Sequence, residues 1–417
     1  MEFQIELEDG RRLTYNTDPC SLTWDDGTRV DLSKFAYRYV DPPEFQKQIT
    51  FSPDNPVIGK DTPRVLKIQL GLGCNYSCSY CSQGGQKEEA SSIRDAEEFD
   101  FSWVPDRPEK VELWGGEPLL YWKKIQALVP KIRAAFGDVR ISLVTNGTLL
   151  TREKVDWLFN TGFSIAISHD GPAQFLRGED PLKDPELLAV WRYTFEKFGE
   201  RACINSVITE HNCDLLQLWM WFEERLGTVK LNVEDVVTDY GGGKLSDAGI
   251  KKIYESIKTY ASSGLVLVFP RLRFSFQQFL ETLAISKPLD GANQVCQMDR
   301  KDYLAVDLHG NVLTCQNTGA IEHRIGTIDN LQSVKLDTAT SYTNRPHCHE
   351  CLVVHLCYGS CMFLNGDEFK ASCRASYWYN RALIEGCIYL LTGCKIKAIS
   401  GWSPAFAKRV IPIKVAA

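Results

Sequence analysis

The feature that most constrains this chain is the stretch GLGCNYSCSYC at residues 71–81, which directly follows the apolar run VLKIQL. Three cysteines, Cys74, Cys78 and Cys81, stand on a loop that comes straight after a predicted buried strand. Thiolates are soft ligands suited to zinc or to iron–sulfur, and barrel folds place their chemistry on loops at the carboxyl ends of strands. The loop therefore predicts a metal centre at the end of a strand.

The cysteine content of the whole chain also favours metal over a disulfide framework. Of the 417 residues 15 are cysteines, nine of them between Cys296 and Cys394, whereas disulfide frameworks are typical of short secreted chains. The N-terminus MEFQIELEDGRR has no basic region followed by an apolar run, and no apolar stretch is long enough to span a bilayer. We therefore expect a cytoplasmic protein without membrane contact that holds metal in two places.

The charge balance excludes one class of partner. The formal net charge is −6, with acidic and basic residues in similar number. Such a chain has no basic footprint for an extended nucleic-acid surface or an anionic membrane, although one nucleotide in a pocket is compatible with it.

From about residue 64 to residue 240, strand-like runs alternate with helical runs. VLKIQL, KVELW and ISLVTN are three of six strand-like runs, and WKKIQALVPKIRAAFG is one of the amphipathic runs between them. This alternation implies parallel strands joined by crossover helices, in an open sheet or a barrel. Six such strands predict an α/β fold, a partial, TIM-like (β/α)6 barrel.

The regions on either side of the alternation set the expected domain boundaries. Residues 1–60 alternate apolar and polar positions between DG turns and predict a small β-rich N-terminal segment. We expect the barrel over residues 61–240 and a helical linker over 241–290. Residues 291–417 then form a cysteine-rich domain with a C-terminal helix or tail.

The spacing of the first three thiols narrows the choice of metal. One interpretation is a structural zinc site that lacks a ligand. Three thiolates on one short loop better suit a 4Fe–4S cluster with one iron unligated by protein. The pattern CxxxCxxC, with Tyr80 before the last cysteine, resembles the signature of the radical SAM superfamily. The resemblance implies that S-adenosylmethionine (SAM) binds the open iron and is cleaved reductively to a 5'-deoxyadenosyl radical, which abstracts hydrogen from a substrate.

Three further motifs end successive predicted strands and are similar to the SAM-binding motifs of that family. They are WGGEP, VTNGT and ISHDGP, although each alone is also a common strand-ending turn. His169 stands where the family usually has an aliphatic residue, so it either faces substrate or packs in the core. The resemblance implies SAM contacts from Tyr80, Gly115, Gly116, Glu117, Pro118, Asn146, Ser168 and Asp170.

A second group of cysteines occupies the C-terminal region. Its spacing, C-x13-G-x4-C followed by C-x2-C-x5-C-x3-C and a last cysteine, resembles the SPASM domain, which carries two auxiliary 4Fe–4S clusters. One or two zinc ribbons are the alternative. By this resemblance an outer cluster is held by Cys348, Cys351, Cys357 and Cys373, and an inner cluster by Cys296, Cys315 and Cys361.

The inner cluster lacks an evident fourth ligand in the sequence. Its last iron is open, or it takes Cys387, Cys394 or a non-thiol ligand such as Asp299. The remaining thiols are expected to be ordinary buried cysteines: Cys20, Cys203 and Cys213.

The motifs predict a reaction class but leave the substrate open, because fold does not fix function. SPASM proteins mostly modify peptide or protein side chains, so a peptide is the first hypothesis. Residues 1–60 predict no leader-binding helical domain, which keeps a nucleotide, modified base or amino sugar as the alternative. A non-catalytic iron or zinc scaffold is disfavoured because WGGEP would then lack a purpose. An electron donor such as flavodoxin or ferredoxin is expected, and polar candidates for substrate contact follow the sixth strand: Asn232, Glu234, Asp235 and Asp239.

The residue after Cys315 bears on the type of peptide chemistry. Sulfatase-maturing members have an aspartate there, which takes a proton when a Cys or Ser side chain is oxidised. This chain has Gln316, and an amide has no basic site that titrates near neutrality. The sequence therefore predicts no formylglycine formation.

Overall fold

The structure is a computed structural model that describes residues 1–33, 50–227, 229–234, 245–264, 270–289, 293–401 and 403–404. The strands are β1 Glu2–Leu7, β2 Arg12–Thr17, β3 Cys20–Trp24, β4 Val57–Ile58, β5 Val65–Gln69, β6 Lys110–Trp114, β7 Arg140–Thr145, β8 Phe163–Ser168, β9 Ala202–Val207, β10 Leu231–Glu234, β11 Tyr303–Asp307, β12 Asn311–Leu313, β13 Arg324–Thr327, β14 Lys335–Leu336 and β15 Ile396–Ile399. The α-helices are α1 Ile93–Glu98, α2 Trp122–Phe136, α3 Arg152–Asn160, α4 Pro185–Phe198, α5 Leu215–Leu226, α6 Asp247–Ser263, α7 Pro270–Ala284, α8 Ala320–His323, α9 Val354–Cys357 and α10 Gly366–Thr392.

A nine-stranded sheet forms the centre of the molecule, in the order β10-β9-β8-β7-β6-β5-β11-β12-β13. Strands β5 to β10 are parallel, each pairing with the next along the chain. In β6, β8 and β9 every second residue is buried beneath the helices, while the residues between them are only partly buried and face the opposite side. The α/β class and the partial barrel are confirmed, with β10 and β13 as the edges of the described sheet.

Three strands from the cysteine-rich region extend this sheet, which the sequence did not predict. Strand β11 pairs in parallel with β5, and β12 and β13 follow as antiparallel neighbours. The side chains of Leu304 to Asp307 in β11 are buried. Strand β11, which is distant in sequence, thereby covers the edge of β5 that six strands alone would leave open. This pairing also brings the Cys315 loop, which follows β12, to the barrel.

The N-terminal segment forms a separate antiparallel sheet in the order β15-β1-β2-β3. The short run β15 near the end of the described chain pairs with β1, where Ile5 lies opposite Ile399. The expectation of β-structure at the N-terminus is therefore confirmed for its described part, and its fourth strand comes from the C-terminal region.

The longest described element is α10, whose 27 residues lie in the cysteine-rich C-terminal region. It packs against α6 and α7. A Cβ atom at Gly386 would lie 2.6 Å from the Phe276 ring, so a glycine permits the close approach of α10 to α7. The hydroxyl of Tyr254 on α6 donates to the buried carboxylate of Glu385 at 2.7 Å. Among the described helices, none has both the length and the apolar composition to cross a bilayer.

Candidate metal and cofactor site

The first thiol loop opens into a cavity of about 740 Å³ at the carboxyl ends of β5 to β9. Cys74 is exposed, and Cys78 and Cys81 are half-buried. All three side chains line the cavity, and they lie close enough to interact electrostatically with one another. Parallel strands bring their carboxyl ends to one edge, which is why loops far apart in sequence meet here.

Without a bound metal, two of the three loop thiols are held in their protonated form. Burial raises the pKa of Cys78 to about 11 and also raises the pKa of Cys74, so without metal both stay protonated near neutrality. A bound metal would displace these protons, because thiolates are the ligands. Among described side chains no three potential ligands surround a single metal ion; a cluster spreads its ligands over several irons.

The WGGEP segment after β6 lies directly against the thiol loop. The Gly116 N–H donates to the Gly71 carbonyl at 3.0 Å, and the Glu117 N–H donates to the Gly73 carbonyl at 3.0 Å. A Cβ atom at Gly116 would lie 2.2 Å from the Leu72 carbonyl oxygen. Only glycine fits this contact, so the segment is more than a strand-ending turn.

Glu117 is a buried carboxylate with a defined set of donors. Its oxygens accept from the Thr145 hydroxyl at 2.6 Å, the Asn146 N–H at 2.7 Å and the Leu119 N–H at 2.9 Å. Burial raises the pKa of Glu117 although these donors oppose it. A carboxylate has about four acceptor positions, so one position remains for a donor in the cavity.

Arg177 is a cavity residue that the sequence analysis missed. Its guanidinium lines the cavity, donates to the Tyr80 hydroxyl at 3.1 Å and lies 3.5 Å from the Asp170 carboxylate. Burial would lower the pKa of Arg177, but Asp170 and Tyr80 outweigh it and the pKa is raised. The signal in the sequence was one arginine in the apolar stretch GPAQFLRG.

The other expected SAM contacts divide into two groups. Gly115, Asn146 and Ser168 line the cavity with the residues above. Asp170 and Pro118 are buried and do not line it. The direct contacts expected for these two stay predictions: Asp170 accepts from Tyr80, Arg177 and the Val207 N–H, and Pro118 begins a short 3-10 helix.

His169 packs in the core and does not face the cavity. It is fully buried, and its ring stacks on Trp221 at a centroid distance of 5.2 Å. Its Nδ1 accepts from the Gly171 N–H at 2.9 Å, so Nε2 carries the proton and donates to Asp180 at 3.0 Å. Burial lowers the pKa of His169, which is therefore neutral at neutral pH.

Four cysteines of the C-terminal region surround a second, enclosed cavity. Cys348 and Cys351 are each 8% exposed, and Cys373 projects from α10. Burial raises the pKa of Cys348 and of Cys351 to about 12 and lifts that of Cys357 further. The set that shares this cavity is the one expected for the outer cluster: Cys348, Cys351, Cys357 and Cys373.

The other three cysteines form a separate group nearer the barrel. Cys296 interacts electrostatically with both Cys361 and Cys315. Burial raises the pKa of Cys296 to about 12 and that of Cys315 to about 11. The structure thus places the three side chains expected at the inner cluster together.

Of the possible fourth ligands, only Asp299 lies near this inner group. It interacts electrostatically with Cys296 and accepts from the Gln294 N–H at 3.2 Å. Cys387 contacts the Phe276 carbonyl between α10 and α7. Cys394 lies beside Arg11, near the N-terminal sheet.

The remaining predictions have mixed outcomes. Cys20 and Cys213 are buried as expected. Cys203 is half-buried, and the Asn232 amide donates to its sulfur at 3.1 Å and to the Asn205 oxygen at 3.0 Å. Asn205 lines the cavity and is, after Arg177, the second cavity residue that the sequence analysis missed. Asp235, Asp239 and the side chain of Glu234 lie outside the described residues.

Gln316 lines the cavity on the side of the inner thiols. Its side-chain oxygen accepts from the Lys67 ammonium at 3.2 Å. The Lys67 ammonium in turn lies 3.4 Å from the Glu112 carboxylate. The sequence motifs did not indicate this contact. The absence of formylglycine formation stays a prediction.

Comparison with known proteins supports the family resemblance. The sequence model of the Radical SAM superfamily matches residues 68–200. A GTP 3',8-cyclase of Mannheimia succiniciproducens is 30% identical over 153 residues, which are 35% of this chain and 45% of that enzyme. The radical SAM cyclopropyl synthase TigE of Paramaledivibacter caminithermalis is 19% identical over 338 residues, 72% of this chain and 68% of that protein. The chain spans about half the length of the cyclases it matches.

A solved structure shares the fold over most of the chain. Native anSMEcpe with bound AdoMet (SAM) superposes with a TM-score of 0.54 at 18% identity, covering 79% of this chain and 98% of that chain. The same protein with bound AdoMet and Cp18Cys peptide gives a TM-score of 0.53. The expected resemblance to the radical SAM superfamily is confirmed over residues 68–200, the region that the family model matches.

Proposed function

We propose that this protein is a radical SAM enzyme of the SPASM type that modifies a side chain of a peptide or protein. The observation that carries the proposal is the convergence of three loop thiols, the Glu117 carboxylate and the Arg177 guanidinium on one cavity. Cys74, Cys78 and Cys81 would hold a 4Fe–4S cluster there, which with SAM would supply a 5'-deoxyadenosyl radical for hydrogen abstraction from substrate.

The residues of the chain have distinct roles in this proposal. Cys74, Cys78 and Cys81 hold the cluster. Glu117 accepts a hydrogen bond from the methionyl ammonium of SAM at its remaining acceptor position. Arg177 pairs with the methionyl carboxylate, because a guanidinium donates two parallel hydrogen bonds to a carboxylate.

Residues around these contacts orient the cofactor. Gly115 and Gly116 allow the backbone to approach it, and Asn146 and Ser168 contribute polar groups at the ends of β7 and β8. Asp170 acts through Tyr80 and Arg177, which it holds in place, and is therefore a positioning residue.

Two auxiliary 4Fe–4S clusters belong to the same proposal. The enclosed set of Cys348, Cys351, Cys357 and Cys373 supplies the four thiolates that a closed cluster takes. The inner set has three thiols, with Asp299 as the nearest candidate for the fourth ligand. An electron donor of the flavodoxin or ferredoxin class would reduce the first cluster.

The test is anaerobic reconstitution with iron and sulfide, followed by reaction with SAM and dithionite. We expect release of 5'-deoxyadenosine and about twelve irons per chain, three clusters of four. Tightly bound zinc with fewer than about four irons would overturn the assignment.

The second candidate is modification of a nucleotide or another small molecule. It is favoured by the similarity to the GTP 3',8-cyclase over 153 residues. Incubation of the reconstituted protein with GTP distinguishes the two, because turnover of GTP would replace the peptide proposal.

A further inference from the structure

Four carboxamide side chains line one wall of the cavity, and we call them the amide wall: Gln83, Gln86, Gln316 and Asn317. The first two follow Cys81 and the last two follow Cys315, so the wall lies between the first thiol loop and the inner thiols. The two loops pack tightly, since a Cβ atom at Gly319 would lie 1.9 Å from the Lys87 carbonyl oxygen.

The orientation of two of these amides is fixed by donors that have no acceptor capacity. The Lys67 ammonium donates to the Gln316 side-chain oxygen at 3.2 Å. The Gly319 backbone N–H donates to the Gln86 side-chain oxygen at 3.3 Å. An ammonium and a backbone N–H only donate, so both amides hold their oxygens inward and leave their NH2 groups for the cavity.

The other two amides bond to each other. The Gln83 NH2 donates to the Asn317 oxygen at 3.2 Å, which leaves the Asn317 NH2 group. All four residues are half-buried, as expected for side chains that face a cavity. The wall therefore presents three NH2 donors, those of Gln86, Gln316 and Asn317.

The Lys67 ammonium behind the amide wall lies beside a carboxylate. Lys67 lies opposite Glu112 in the register of β5 and β6, and their charged groups are 3.4 Å apart. Burial raises the pKa of Glu112, but Lys67 and Lys110 outweigh it and hold the pKa below its ordinary value, so the carboxylate is charged. Lys67 thus orients Gln316 while Glu112, which also pairs with Lys110 at 2.6 Å, partly offsets its charge.

We propose that the amide wall binds backbone carbonyl oxygens of an extended peptide substrate between the first thiol loop and Cys315. This inference rests on the proposed function and names the chemistry of its substrate contact. Peptide carbonyls are neutral acceptors with two lone pairs each, and they recur along an extended chain. Among the described residues that line the cavity, the one cation is Arg177, which the proposed function assigns to the SAM carboxylate, so the wall suits a neutral acceptor better than a phosphate chain.

The experiment measures peptide binding to the reconstituted holoprotein with SAM bound. A pool of short linear peptides of random sequence is passed over the immobilised protein, and the most enriched peptide is labelled for fluorescence anisotropy. Gln316→Glu keeps the size of the side chain and an oxygen toward Lys67 but replaces the NH2 donor by an acceptor; Gln86→Glu does the same on the other loop. Gln217→Glu on the exposed side of α5 is the matched control.

We expect each wall variant to weaken binding about tenfold or more, and the control to bind as the wild type does. Replacing the contacted peptide bond by an ester, a poorer acceptor, should weaken binding to the wild type and have little further effect on Gln316→Glu. If Gln316→Glu fails to incorporate its clusters, Gln316→Met replaces it.

Wall variants that bind within about twofold of the wild type would overturn the inference. So would enrichment of no peptide, or GTP binding that the same variants weaken. The proposed function is judged separately, by 5'-deoxyadenosine release from the wild type. Release without peptide binding removes the inference alone, whereas absence of release removes the proposed function.

Discussion

The two groups of thiols on this chain differ in access although they use the same side chain. Cys74, Cys78 and Cys81 open into the large cavity, while Cys348 and Cys351 are each 8% exposed in an enclosed one. Zinc proteins show the same division, since structural sites are closed and catalytic sites keep an open position. Access to the metal, more than ligand type, separates a reactive centre from a closed one.

The two groups also differ in how they are assembled. The first three thiols come from one loop, which neighbours hold in place: the Gly73 N–H donates to the Tyr121 hydroxyl at 2.7 Å. Three of the enclosed thiols come from residues 348–357, and Cys373 reaches them from α10. We therefore expect changes at the first group to be local, and changes at the second to affect packing as well.

The largest expected effect is the triple variant Cys74→Ala, Cys78→Ala, Cys81→Ala. SAM cleavage should be abolished while roughly two thirds of the iron remains, if each of three clusters has four irons. Iron analysis and 5'-deoxyadenosine release measure the two quantities, and Cys394→Ala serves as the control. Loss of all iron would show that the two groups are not independent.

The next effect compares the rates at which the two groups release iron. Under oxidising conditions with a chelator, the roughly four irons of the enclosed group should leave in the slowest phase, because Cys348 and Cys351 are each 8% exposed whereas Cys74 is exposed. Absorbance and iron analysis follow the time course. A single phase for all of the iron would contradict the difference in access.

A smaller effect is expected from Glu117→Gln. The variant keeps the size of the side chain but loses the charge that accepts from the methionyl ammonium, a loss of about 1.5–3 kcal/mol, or roughly tenfold to a hundredfold in the Kd for SAM. Calorimetry on the reconstituted protein measures the Kd, with the exposed Glu186→Gln as the control. Unchanged affinity would mean that Glu117 only supports the strand ends.

The smallest effect concerns the packing behind the open site. Burial holds the pKa of His169 below its ordinary value of 6.5, so the unfolded state binds a proton there more readily than the folded state. The stability contributed by neutral His169 is present above about pH 6.5 and is lost as the pH falls below it. Melting temperatures of the apoprotein at about pH 7.5 and about pH 5.5 should show a loss on the order of 2 °C that is reduced in His169→Gln. An equal loss in the variant would assign the effect to other groups.

Much of the fold was predictable because it is local in sequence. The alternation of strand and helix runs predicted the six parallel strands, and the position of GLGCNYSCSYC after an apolar run predicted a thiol loop at a strand end. The joining of β11 to β5 and the length of α10 were not predicted, because both depend on contacts between distant segments. The direct SAM contact expected of Asp170 stays a prediction, because a motif does not reveal which way a side chain points.

The sequence by itself determined which atoms are available as ligands, since the spacing of cysteines and glycines is a local property. Only the tertiary structure decided which of these atoms share a cavity. Lys67 and Gln316 are 249 positions apart. They meet only because β5, which carries Lys67, and β12, which precedes the loop of Gln316, belong to one sheet. Burial, charge balance and the direction in which an amide points all depend on such contacts, so they emerge only when the chain is folded.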